Sequence, residues 1–111
     1  PNVDHLRRTH EPFFRIVRQA QPQLPIVLVS KPDFDGYPDE NRERRNVILQ
    51  TYANAGAAGD RHVYFVDGET LFGLGDRDMC AVDGCHPTSL GFLRMADRLE
   101  PVLRRALADR A

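Results

Sequence analysis

The sequence predicts an α/β layer structure built on a parallel sheet. Two observations carry the prediction. Helical and strand-like patterns alternate along the chain in the order helix, strand, helix, strand, helix. Both strand-like runs, Ile26–Val29 and residues 62–66, lack polar alternation, which is how strands covered on both faces read.

Asn2 is placed to cap a first helix whose apolar side holds Leu6, Phe13, Ile16, Val17 and Ala20. Pro12 falls inside that pattern and predicts a kink or a fresh start. Gln21-Pro22-Gln23 ends the helix, and Pro25 leads into the first strand. Residues 30–38 are a loop dense in turn formers. The second helix is expected from about Asp39 to Ala57, with Ile48, Leu49, Tyr52 and Ala55 as its apolar side and residues 41–45 as a solvated face. Gly56 and Gly59 are its stop signals. After the second strand come a short turn or helical piece around residues 69–72 and a loop over 73–86. The last helix starts at Thr88 or Ser89 and packs through Phe92, Leu93, Ala96, Leu99, Leu103 and Leu107, with a bend at Pro101.

A chain of 111 residues has room for one domain with a modest core. Its 15 Lys and Arg against 16 Asp and Glu leave a net charge of −1, so no basic field points to nucleic acid. No apolar run approaches the roughly 18–20 residues that cross a bilayer, and nothing at the N-terminus reads as a signal peptide. The first residue is Pro1 and not Met, which predicts a processed, trimmed or cut piece. Two strands do not make a stable parallel sheet, and at least one edge would carry unpaired backbone groups. The expectation is therefore that residues 1–111 are the C-terminal portion of one larger α/β domain. The other strands would come from an upstream segment, a cleaved partner chain or a neighbouring copy.

Sites in open α/β sheets form at the carboxyl ends of the strands, here the loops over 30–38 and 67–86. The second loop holds Val82-Asp83-Gly84-Cys85-His86-Pro87. A carboxylate three residues ahead of a histidine can bond the imidazole, fix its tautomer and stabilise the imidazolium, as in a general base that activates a hydroxyl. Pro87 disfavours helical geometry at His86, and Gly84 relieves crowding between the two side chains. The plainer alternative is that Asp83 braces the loop and His86 is an exposed helix-entry residue. Cys80 and Cys85 allow a local disulfide that would stiffen this loop. A zinc site would need a second ligand pair, and His5, His10 and His62 are scattered, so no metal or cofactor is expected. The two serines are poor nucleophiles: Val29-Ser30-Lys31-Pro32 is not a nucleophile elbow, and Ser89 lies in the first turn of a helix, where capping is the usual role.

The run from Val82 through Asp83-Gly84-Cys85-His86-Pro87-Thr88-Ser89-Leu90-Gly91 to Met95-Ala96 resembles the last block of the GDSL/SGNH hydrolase superfamily, an Asp-x-x-His-Pro followed by a Gly and a Met-Ala helix. Pro25-Ile26-Val27-Leu28-Val29-Ser30 resembles that family's fourth strand, and Tyr64-Phe65-Val66-Asp67-Gly68 its fifth. His10-Glu11-Pro12-Phe13-Phe14 and Asp67-Gly68-Glu69-Thr70-Leu71-Phe72 are similar to a bacterial subgroup whose members often carry a β-sandwich before the SGNH domain. The resemblance implies a flavodoxin-like three-layer α/β/α fold, with His86 as catalytic base and Asp83 as its orienting acid. It also implies a nucleophilic Ser in a Gly-Asp-Ser block, which this sequence lacks, and oxyanion-hole residues in further blocks outside it. The implied activity is ester hydrolysis by a Ser-His-Asp triad, on a small-molecule or carbohydrate ester. The implied partner is the segment or chain that completes the sheet. The alternatives are a non-catalytic flavodoxin-like binding domain and an inactive fragment without its nucleophile.

Overall fold

The computed structural model describes residues 2–109. Its elements are α1 (Val3–Ala20), β1 (Ile26–Val29), α2 (Pro38–Ala57), β2 (Val63–Val66) and α3 (Ser89–Ala108), with 3-10 turns at Gly68–Thr70 and Arg77–Met79. The strands pair in parallel, Ile26 opposite Val63 and Val29 opposite Val66. Successive side chains of a strand point to opposite faces, so Ile26, Leu28, Val63 and Phe65 share one face. There Leu28 and Val63 form a core with Phe14 of α1 and Ile48 and Ala55 of α2, ringed by Leu6, Ile26 and Phe65. Tyr64 lies on the opposite face and its hydroxyl donates to Asp109 Oδ2 at 2.8 Å, which puts α3 on that side. The predicted order, parallel pairing and three layers are all present.

The helices depart from expectation in which sides they bury. Asn2 caps α1 as predicted, its Oδ1 accepting the His5 N–H at 2.8 Å. The helix then runs through Pro12 without a fresh start. Contacts on both sides of the proline hold it: His10 Nδ1 meets Thr51 Oγ1 at 2.8 Å, and Phe14 is buried. Burial lowers the pKa of His10, and the nearby Glu11 carboxylate opposes that shift. The predicted apolar side splits, because Leu6 and Val17 turn inward while Phe13 and Ile16 remain 67% and 66% exposed. Arg18 ties the end of α1 to the starts of both strands, through Asp60 at 2.8 Å and the carbonyls of Leu24 at 2.6 Å and His62 at 3.2 Å.

In α2 the expected solvated face is wrong at two positions. Asn41 is 1% exposed, and its amide donates to the Asp33 carbonyl. Arg45 lies over the Phe34 ring and reaches Asp67 Oδ2 at 3.0 Å and Glu69 Oε2 at 3.1 Å. Positions 41, 45, 48, 51 and 55 are one stripe at helical spacing, and polar residues at three of them disguised it. The last helix is capped by Thr88, whose Oγ1 accepts the Gly91 N–H at 3.2 Å, and it passes through Pro101 unbroken. Its inward stripe is Gly91, Met95, Leu99, Val102 and Ala106, whereas Phe92, Leu93, Leu103 and Leu107 face solvent. Strand coverage is likewise partial, with Val66 2% exposed and Val29 37%. The sheet of the described residues has two strands, so an edge of each is open. Among the described residues, no helix is long and apolar enough to cross a membrane.

Candidate active site

The carboxyl ends of the strands carry a layered set of loops. Ser30 is buried, and its Oγ accepts the Gly68 N–H at 2.6 Å, tying the two strand ends together. Its hydroxyl is therefore structural. The loop that follows is turned by Asp33, whose Oδ1 accepts the N–H groups of Asp35 at 3.1 Å and Gly36 at 3.4 Å. Arg77 links this loop to the next, with Nε on Asp35 Oδ2 at 2.8 Å and Nη1 on the carbonyls of Glu69 at 3.0 Å and Gly73 at 2.8 Å. From α3, Arg94 holds the carbonyls of Phe72 and Gly75, each at 2.6 Å.

Asp83 and His86 sit at the tip of a narrow hairpin just before α3. Ala81 bridges Pro87 in antiparallel fashion, Val82 N–H donates to the His86 carbonyl at 2.9 Å, and Thr88 N–H donates to the Cys80 carbonyl at 2.8 Å. Thr88 Oγ1 adds a bond to the Met79 carbonyl at 2.7 Å. The disulfide considered for this loop is not present. Cys80 is buried with Sγ against the Asp76 carbonyl, Cys85 is exposed, and both are free thiols. Backbone pairing supplies the stiffness that the crosslink was expected to give.

Within the tip, Gly84 adopts a φ of 75°, a left-handed turn that a side chain disfavours. That turn folds Asp83 back over the residues after it. Its Oδ1 accepts the N–H groups of Cys85 at 3.0 Å and His86 at 2.8 Å, and its Oδ2 lies 2.7 Å from His86 Nδ1. The sequence-predicted pair is therefore in contact. The His86 backbone bond, then the imidazole, then the Cys85 N–H, hold the Asp83 carboxyl down to a pKa of about 2. Asp83 is consequently an acceptor at neutral pH, so Nδ1 carries the proton of a neutral His86, and Nε2 presents its lone pair outward. The His86 side chain is 76% exposed and that of Asp83 53%, leaving Nε2 open to a reactant.

This assignment has a pH consequence. A carboxyl depressed from 3.8 to about 2 stabilises the loop fully above the unfolded value, and that contribution is lost as pH falls through about 2. The Asp83 carboxyl carbon and the Cys85 and His86 amide protons should titrate together in NMR spectra with a midpoint near 2. A shared midpoint at about 4 would contradict the bonding described.

Among the described residues, no three His, Cys, Asp or Glu side chains gather as a metal site requires. A cavity of about 840 Å³ lies at the other end of the sheet, lined by Phe14, Arg18, Asn54, Asp60 and His62, and does not touch the dyad. One contact was missed from the sequence. Lys31 Nζ donates to the Gly84 carbonyl at 3.1 Å, between the two members of the pair. Its position just past β1, at the carboxyl end of the strands, was the available signal.

Comparison with known proteins adds three findings. The profile of a GDSL-like lipase/acylhydrolase family matches residues 1–104. A crystal structure of a Bacteroides ovatus protein described as a GDSL-like lipase matches with a TM-score of 0.81 and 21% sequence identity, over 97% of this chain and 33% of that one. At that identity the likeness is one of fold, and this chain spans about a third of its length. No curated protein matches the sequence.

Proposed function

The chain belongs to the GDSL-like lipase/acylhydrolase family, and from that premise we propose that it supplies the acid–base half of a serine ester hydrolase. His86 is the general base and then the general acid, and Asp83 is its orienting carboxylate. The observation that carries the reading is the 2.7 Å contact between Asp83 Oδ2 and His86 Nδ1 on a carboxylate whose other oxygen is held by two backbone N–H groups. In this reading a serine hydroxyl from outside residues 1–111 attacks the ester carbonyl while its proton passes to Nε2. Nε2–H then protonates the departing alcohol, and water repeats the cycle on the acyl-enzyme. Asp83 stays ionised throughout and stabilises the transient imidazolium.

The rest of the site would be supplied by a further segment of the same protein or by another chain. The open edge of β1, the exposed Val29, and the outward apolar residues Phe13 and Ile16 on α1 and Phe92, Leu103 and Leu107 on α3 support this reading, since all need cover. The proposed substrates are small esters, with carbohydrate acetyl esters favoured by the subgroup resemblance.

A fluorophosphonate probe on the full-length protein tests the proposal. Mass spectrometry should map the phosphonyl group to one serine outside residues 1–111. Modification of Ser30 or Ser89, or no modification at all, would overturn it.

A further inference from the structure

The tip of the dyad hairpin bonds mainly to itself. Among the described residues, the hydrogen bond that reaches positions 82–86 from another element is donated by Lys31 Nζ to the Gly84 carbonyl oxygen, at 3.1 Å. The same peptide unit continues into Cys85, whose N–H donates to Asp83 Oδ1 at 3.0 Å. Asp83 Oδ2 in turn meets His86 Nδ1 at 2.7 Å. A cation on the carbonyl side of a peptide draws electron density from its N–H and strengthens the bond that N–H donates. The ammonium is thus linked to the imidazole through one peptide group and one carboxylate.

We infer that Lys31 is a positioning residue for the Asp83–His86 pair, holding the left-handed turn at Gly84 and polarising the peptide that donates to Asp83. The inference rests on the catalytic reading of the pair given above. Lys31 is half-buried, and its Nζ lies 5.9 Å from the centre of the Tyr37 ring, so the side chain is fixed from two directions. The other charged group facing Gly84 is Asp33, whose Oδ2 is 3.3 Å from where a Gly84 Cβ would lie. The next carboxylate along that loop, Asp35, is paired with Arg77.

The test compares Lys31→Met, Lys31→Arg and His86→Ala in the full-length protein. Lys31→Met should lower kcat about tenfold with KM changed by less than about twofold, the pattern of a group acting through its neighbours. The acid limb of the pH–rate profile should move to higher pH, because losing a cation favours the protonated pair. The Nδ1–H resonance of His86 should broaden or move upfield, and Lys31→Arg should recover most of kcat. A Lys31→Met protein with wild-type kcat, acid limb and imidazole spectrum overturns the inference. Where His86→Ala is inactive and Lys31→Met behaves as wild type, only this inference falls; where His86→Ala remains active, the catalytic reading falls with it. Should Lys31→Met fail to fold, Lys31→Gln keeps a donor to Gly84 without the charge. Wild-type kcat and acid limb in that variant would overturn the role of the cation.

Discussion

Asp83→Asn in the full-length protein should lower kcat for ester hydrolysis by about 10⁴-fold while leaving the fold intact. The reason lies in how many donors the carboxylate serves. Asp83 Oδ1 accepts from two backbone N–H groups, and Oδ2 accepts from His86 Nδ1. An asparagine keeps its single carbonyl oxygen on the two amides, because turning it round would set its NH₂ against two donors. Its NH₂ then faces Nδ1, which must become the acceptor, and the proton moves to Nε2. A base with its proton already on Nε2 cannot take another from a serine hydroxyl. His86→Ala should cost at least as much, up to about 10⁶-fold, since it removes the base itself. Steady-state kinetics on a small aryl ester, with circular dichroism to verify folding, would check both. A folded Asp83→Asn enzyme within about tenfold of wild type would show that the pair only braces the loop.

The dyad was legible because its geometry is local. Three residues, a glycine and a proline decide whether a carboxylate can fold back onto an imidazole, and all of them are written side by side in Asp83-Gly84-Cys85-His86-Pro87. The strands were equally plain, since an unbroken apolar run has few other readings. Helix faces were less so. Phe13 and Phe14 are adjacent and equally apolar, yet Phe14 is buried and Phe13 exposed. A helix with two apolar stripes does not reveal from sequence which stripe meets α2. On α2 the reverse holds: Asn41 and Arg45 occupy inward positions because a backbone carbonyl in the loop before the helix and a carboxylate past β2 meet them there. Such partners are fixed by tertiary contact, which periodicity does not encode. Lys31 escaped notice for the same reason, its acceptor lying 53 residues away.

Gly91→Ala sets two effects against each other and should be strongly destabilising. In an ordinary helix interior the change stabilises by about 1 kcal/mol, through the lower entropy of the unfolded chain. Here a Cβ at position 91 would lie 2.1 Å from the Cys80 carbonyl oxygen and 3.1 Å from the Phe72 ring. The carbonyl is backbone, and it is already held at 2.8 Å by the Thr88 N–H, so no rotamer change relieves the clash. Either α3 moves off the hairpin or the base of the hairpin shifts, at a cost of about 3 kcal/mol or more that exceeds the propensity gain. Gly68→Ala should behave alike, its Cβ falling 2.0 Å from the Lys31 carbonyl oxygen and 2.4 Å from that of Ser30. Gly56 in α2 is the control, because nothing lies within 4 Å of a Cβ there. Gly56→Ala should raise stability by about 0.5–1 kcal/mol. Urea denaturation of the three variants in the full-length protein separates the cases. Equal midpoints for Gly56→Ala and Gly91→Ala would mean that α3 does not press on Cys80 as described. Since Cys80 begins the hairpin that carries Asp83 and His86, Gly91→Ala should also reduce activity in whatever fraction remains folded, whereas Gly56→Ala should leave kcat unchanged.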